Sequence, residues 1–103
     1  MKRGEVRWYR FPSPDKKRPV VILSRTSVID YLNEVTIAPI TTTIRHIPSE
    51  VFLSGKETMP KDCAINCDHI QTVSKTRIGA LIGTLSAAQL DELSEAIRFA
   101  LEL

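Results

Sequence analysis

Long apolar runs, glycine and cysteine are what this chain of 103 residues has least of. No apolar run approaches the ~18 residues needed to cross a bilayer as a helix. Met1-Lys2-Arg3-Gly4-Glu5-Val6 starts basic but has no apolar stretch behind it, so it does not read as a signal peptide. A cytoplasmic protein without a membrane role is the expectation. The two cysteines, Cys63 and Cys67, are too few for a disulfide framework and are expected as reduced thiols. The four glycines are scattered, and they form neither a Walker loop nor a dinucleotide fingerprint. There is no Gly-x-Ser-x-Gly elbow for a nucleophilic serine. Repeats, linkers and low-complexity segments are absent too.

What is present fits one soluble domain spanning 1–103. The 43% hydrophobic and 25% charged fractions are ordinary for a globular protein with one modest core. A net charge of +2 permits a nucleic-acid partner without arguing for one. Where the charge sits is more telling. Met1–Ser24 carries Lys2, Arg3, Arg7, Arg10, Lys16, Lys17 and Arg18 against Glu5 and Asp15. Ser86–Leu103 carries Asp91, Glu92, Glu95 and Glu102 against Arg98 alone.

Lys16-Lys17-Arg18-Pro19-Val20-Val21-Ile22-Leu23-Ser24 organises the rest. Proline suits the first residue of a strand, and the branched apolar run behind it reads as a strand buried on both faces. Cations at the mouth of such a strand are placed to hold a phosphate, or simply to end the strand in water. Before it, Arg3–Phe11 reads as a strand with Val6 and Trp8 on one face and Arg7, Tyr9 and Phe11 on the other. Pro12-Ser13-Pro14-Asp15 is a turn cluster. Arg25–Asn33 reads as a loop or a short helix.

Glu34–Ile44 is a third strand, with Val35, Ile37, Pro39 and Thr41 on one face. Pro39 cannot donate to a ladder, which predicts an edge position or a bulge. Ser49–Leu53 is a fourth strand, Ser54–Met59 a turn, and Asp62–Val73 an unusually polar fifth strand. Ser74–Ile78 reads as one helical turn stopped by Gly79, and Leu81–Leu85 as a last strand. Ser86 and Gln89 form a capping box, with Leu85 and Leu90 as its hydrophobic staple. Leu90, Leu93, Ile97, Ala100 and Leu101 then give one apolar helical stripe. The expected class is α+β, mainly β: a small barrel or curled antiparallel sheet with a packed C-terminal helix.

Two constellations carry little weight. Cys63, Cys67 and His69 share a strand face, but strand residues four apart lie ~13 Å apart, too far to share one zinc without a bend. Cys63 or Cys67 paired with His46 or His69 is conceivable as a nucleophile, although free cysteine is usually core. Arg18 with the threonines is stronger. Metal-free RNA cleavage needs the 2′-OH to attack phosphorus, the pentacovalent phosphorus to be stabilised, and the 5′ oxygen to leave with a proton. Arginine offers a planar fork for two phosphate oxygens, and a threonine hydroxyl donates to a third.

Five segments in this order resemble the MazF/PemK toxins of bacterial toxin–antitoxin pairs, over nearly the whole chain. They are Lys2-Arg3-Gly4-Glu5-Val6, Lys17-Arg18-Pro19-Val20-Val21-Ile22-Leu23-Ser24, Ala38-Pro39-Ile40-Thr41, Ser74-Lys75-Thr76-Arg77-Ile78 and Ile82-Gly83-Thr84-Leu85-Ser86. The resemblance implies an SH3-like barrel with a C-terminal helix, acting as a homodimer. It also implies metal-independent, sequence-specific cleavage of single-stranded RNA, leaving a 2′,3′-cyclic phosphate and a 5′-hydroxyl. Arg18 would be the catalytic arginine and Thr41 its partner. Lys16, Lys17, Thr42, Thr43, His69 and Gln71 are the expected RNA-binding residues, with no cofactor and no metal. A cognate antitoxin would cover the RNA groove with an acidic tail.

Departures from the family pattern are local. The Pro12–Lys17 loop is short and lacks the usual Gly-Ser pair. His69 stands where many members have Gln, and Gln71 where many have Arg or Lys. His69 is therefore a candidate proton shuttle, as Arg18 is too basic for that task. A non-nuclease protein of the same fold is the alternative, either an inactive homologue or one like the gyrase poisons. Those act through C-terminal residues that include a tryptophan, whereas here the only tryptophan is Trp8 and the chain ends Ala-Leu-Glu-Leu.

Overall fold

The computed structural model describes residues 1–12, 16–55 and 59–103. The Pro12–Lys17 loop and the Ser54–Met59 turn fall partly outside the described residues. In chain order the elements are β1 (Glu5–Arg10), β2 (Lys17–Ile22), α1 (Thr26–Ile29), β3 (Glu34–Thr41), β4 (Glu50–Leu53), β5 (Cys63–Asn66), β6 (Gln71–Ser74), β7 (Ile78–Thr84) and α2 (Ala87–Leu101). Short 3-10 turns, Cys67–His69 and Lys75–Arg77, separate β5 from β6 and β6 from β7. All pairings are antiparallel, in the order β4-β5-β3-β2-β1-β7, and β6 also pairs with β3. No pairing among the described residues joins β4 to β7, so this is a barrel-like sheet rather than a closed barrel. The expected class, mainly antiparallel β with a C-terminal helix, is the observed one. No described helix is long and apolar enough to cross a membrane.

Two cores form because β2 and β3 alternate. Val20, Ile22, Val35 and Ile37 pack with Tyr9, Ile29 and Val73 on one face. Val21, Ala38 and Ile40 pack on the other with Leu53, Ile65, Leu85 and Leu93. Val20, Val21 and Ile22 are each fully buried, as a branched run behind a proline should be.

Helix α2 closes the second core. Ser86 Oγ accepts from the Gln89 N–H at 3.1 Å, and the Gln89 side chain accepts from the Ser86 N–H at 2.8 Å. Leu93 and Ala96 are buried, with Leu90, Ile97 and Ala100 partly so. Leu101, expected in the stripe, is 55% exposed instead. It occupies the last turn, just before Glu102 turns left-handed and lets the Leu103 N–H bond the Arg98 carbonyl at 2.9 Å.

Three other expectations are corrected. The segment 62–73 is not one strand. Asn66 Oδ1 accepts from the Asp68 N–H at 3.0 Å, and this local bond breaks the ladder and seeds the 3-10 turn. Pro39 is neither at an edge nor in a bulge. β3 pairs with β6 through Glu34–Ile37 and with β5 through Ile40 and Thr41, so Pro39 falls where the partner changes and no donor is required. Gly79 does not stop a helix, since the 3-10 turn ends at Arg77 and Gly79 lies inside β7.

Gly4 is required for its conformation. Its φ is +88°, and a Cβ there would meet the Leu90 side chain at 2.8 Å. Gly4→Ala should destabilise the fold by about 2 kcal/mol, combining left-handed strain with a clash against α2. Urea unfolding of the variant measures it.

Candidate functional site

The described chain has a cleft of about 390 Å³ where the sheet forks. Its lining includes Phe11, Lys16, Arg18, Pro39, Thr41, Thr43, Arg45, Glu50, Asn66, His69 and Gln71. Strand alternation decides who faces it. Arg18 and Thr41 share the side of Val20 and Ile37, one step beyond the end of that core. Val20 pairs with Pro39, and continuing that register two residues outward sets Arg18 opposite Thr41. On the far side of β3, β6 starts at Gln71 opposite Ile37 and β5 reaches Ile65 opposite Ile40. The residues between, carrying Asn66 and His69, bow away and form the opposing wall.

The Arg18 side chain is exposed and has no hydrogen-bond or ion-pair partner among the described residues. Thr41 Oγ1 accepts from the Thr43 N–H at 3.0 Å, and this bond also ends β3 earlier than Ile44. With that lone pair occupied, the hydroxyl proton of Thr41 is left to donate elsewhere. Three cations, Lys16, Arg18 and Arg45, face one carboxylate, Glu50, so the cleft favours an anion.

Of the residues singled out from sequence, the cleft gathers Lys16, Arg18, Thr41, Thr43, His69 and Gln71. Thr42 points the other way and lines a second hollow of about 230 Å³, with Trp8, Pro19, Met59, Lys61 and Cys63. Arg18 and Thr41 form the ridge between the two hollows. Lys17 lines neither, being out of phase with Arg18 along β2. Phe11, Arg45, Glu50 and Asn66 were missed. Asn66 left a signal in the polarity of its segment. Arg45 and Glu50 left none, because a long-range pairing brings them in.

The cysteines belong to the core, and with His69 they form no metal-ligand cluster among the described residues. His46 sits against Phe52, ring centroids 6.0 Å apart, outside the cleft. Burial, then the Asp62 charge, pushes the Cys63 thiol up. Burial, then the Asp68 charge, pushes Cys67 up to about 11. A thiol that keeps its proton only when folded stabilises the fold below the unfolded pKa, and that stability is lost as pH rises. Cys67 alone should thus cost the fold about 2 kcal/mol between pH ~9 and ~11. Urea titrations across that range, with Cys67→Ala lacking this loss, check it.

Comparison with known proteins places the chain in a family. Residues 2–101 match the family model described as "PemK-like, MazF-like toxin of type II toxin-antitoxin system". The chain is 42% identical over 89 residues to endoribonuclease MazF3 of Mycobacterium tuberculosis, covering 86% of each chain. The solved Mycobacterium tuberculosis toxin MazF-mt6 superposes with a TM-score of 0.88 at 37% identity, over 96% of this chain and 97% of that one. An endoribonuclease in complex with its cognate antitoxin, from a mycobacterial species, superposes at 0.86 with 28% identity, over 100% of this chain and 96% of that one. The chain belongs to the PemK-like, MazF-like toxin family of type II toxin–antitoxin systems.

Proposed function

We propose that the Arg18 cleft is where this endoribonuclease toxin cuts single-stranded RNA, with Arg18 and Thr41 as its catalytic pair. The observation that carries the reading is their opposition on adjacent strands, Arg18 without a described partner and Thr41 with a free hydroxyl proton, among three cations. In the reaction the 2′-OH attacks the neighbouring phosphorus in line. The Arg18 guanidinium holds two non-bridging oxygens through its fork as negative charge builds on them, and Thr41 donates to an oxygen beside it. RNA supplies its own nucleophile, so the protein's task is positioning and charge stabilisation, with no metal or cofactor. The products are a 2′,3′-cyclic phosphate and a 5′-hydroxyl.

Lys16, Thr43, His69 and Gln71 hold the strand on one side of the ridge, and Thr42 holds it on the other. Lys17 contributes only long-range attraction for phosphate. The cognate antitoxin covers the same cleft with an acidic tail, which the basic N-terminal half suits. The working form is a homodimer. β7 is an edge strand carrying no charged residue, with Leu81 half exposed on it and Trp8 38% exposed on neighbouring β1. The protein works in the cytoplasm, where its RNA is.

The test is purified protein with mixed-sequence single-stranded RNA in EDTA, with fragments mapped by primer extension. Discrete cuts at a short recognition sequence are expected. A folded protein that cuts nothing would overturn the reading in favour of a non-nuclease binding role.

A further inference from the structure

The cleft holds two groups that the Arg18–Thr41 pair leaves unused, and the fold ties them together. β4 sets Glu50 opposite Asn66 of β5. One residue earlier, the Ser49 carbonyl accepts from the Cys67 N–H at 3.0 Å, and buried Ser49 Oγ donates to Asp68 Oδ2 at 2.6 Å. The turn that carries His69 is therefore stapled to the segment that carries Glu50. Glu50 Oε1 accepts from the Arg45 N–H at 2.9 Å, which anchors one oxygen and leaves the carboxylate with further acceptor capacity. His69 is exposed and makes no hydrogen bond with the described residues, so both ring nitrogens are open to a ligand.

From this arrangement we infer that Glu50 and His69 are the general base and general acid of the cleavage. The inference rests on the RNA-cleaving reading of the cleft. Glu50 takes the proton of the 2′-OH as the 2′ oxygen bonds to phosphorus. The bond from phosphorus to the 5′ oxygen breaks, and the His69 imidazolium gives that oxygen its proton. Glu50 ends protonated and His69 neutral, and exchange with water restores both. Arginine cannot do the second task, since it does not give up a proton in proteins. Imidazole is the side chain suited to it near neutral pH. Lys16, just before β2, Arg18 on β2 and Arg45 from the segment before β4 line the cleft with the pair, and Asp68 adjoins His69 in the turn, where Ser49 holds its carboxylate. Ser49 and Asp68 are thus positioning residues.

The experiment uses the RNA that the wild-type protein cuts, made with the ordinary 5′ oxygen and again with sulfur as the 5′ leaving atom. Sulfur leaves without needing a proton. His69→Ala should lose ~10² to 10³-fold in single-turnover rate at saturating protein on the oxygen substrate, the size of a general-acid contribution. On the sulfur substrate it should come within about tenfold of wild type, because no acid is needed there. Glu50→Gln keeps an oxygen for the Arg45 N–H and should slow both substrates about equally. The wild-type rate should fall at low pH, as the base takes up its proton, and at high pH, as the acid loses it. Each variant should lack the limb it removes. Equal losses by His69→Ala on both substrates, a loss of affinity alone, or an unchanged low-pH limb in Glu50→Gln would overturn the assignment while leaving the nuclease reading intact. Absence of wild-type cleavage would overturn the nuclease reading itself, and the acid–base assignment with it.

Discussion

Arg18→Ala should cut RNA at least ~10³-fold more slowly than wild type, because it removes the paired donors that carry the charge of the pentacovalent phosphorus. The side chain is exposed and bonds no described residue, so its loss should change stability by less than ~0.5 kcal/mol. The Tm and the oligomeric state should stay where they were. Arg18→Lys keeps the charge but loses the planar fork, and it should still be down ~10²-fold. Thr41→Ala removes one donor and should cost ~10²-fold, whereas Thr41→Ser keeps a hydroxyl and should recover much of the rate. Single-turnover cleavage of a defined RNA, read beside thermal melting of each variant, separates lost chemistry from lost folding.

Leu93→Ala should have the largest effect on the fold. Leu93 is fully buried and lies where α2 closes the core built from Val21, Ala38, Ile40, Leu53 and Ile65. Removing its branched end leaves a cavity that helix and sheet fill only in part. The expected cost is about 3 to 4 kcal/mol, a large share of the 5–15 kcal/mol that holds a domain together. For a chain of this size, that lowers the Tm by ~15 °C or more. Leu101→Ala, on the exposed last turn of the same helix, should move it little. Melting the two variants side by side tests whether α2 docks through Leu93 rather than along its whole stripe.

How legible each feature was in the sequence depended on how local its cause is. The α2 cap is written in Leu85, Ser86, Gln89 and Leu90, all within one turn. The buried strand β2 is written in the branched run Val20-Val21-Ile22, although the strand already starts at Lys17 and Pro19, expected as its first residue, stands third. The interruption at Cys67–His69 is not legible in the sequence, where the stretch reads as a polar strand. Its cause, the Asn66 side chain capturing the Asp68 N–H, is a competition between side chain and ladder that alternation alone does not reveal. Pro39 reads as an edge residue in the sequence, because one strand in isolation cannot show that its neighbour changes from β6 to β5. The site divides the same way. Arg18 and Thr41 carry their chemistry in their own segments. Glu50 reaches the cleft only through its pairing with Asn66, and that pairing is a property of the whole sheet.

Deoxy substitution at the cleaved linkage tests the central claim most directly. An RNA with a single 2′-deoxy residue on the 5′ side of the cut should resist the protein completely there, while the all-ribose strand yields a fragment ending in 2′,3′-cyclic phosphate. Cleavage of the deoxy strand at the same linkage, or a 3′ end that never passes through the cyclic phosphate, would contradict attack by the 2′-OH and the roles given to the cleft.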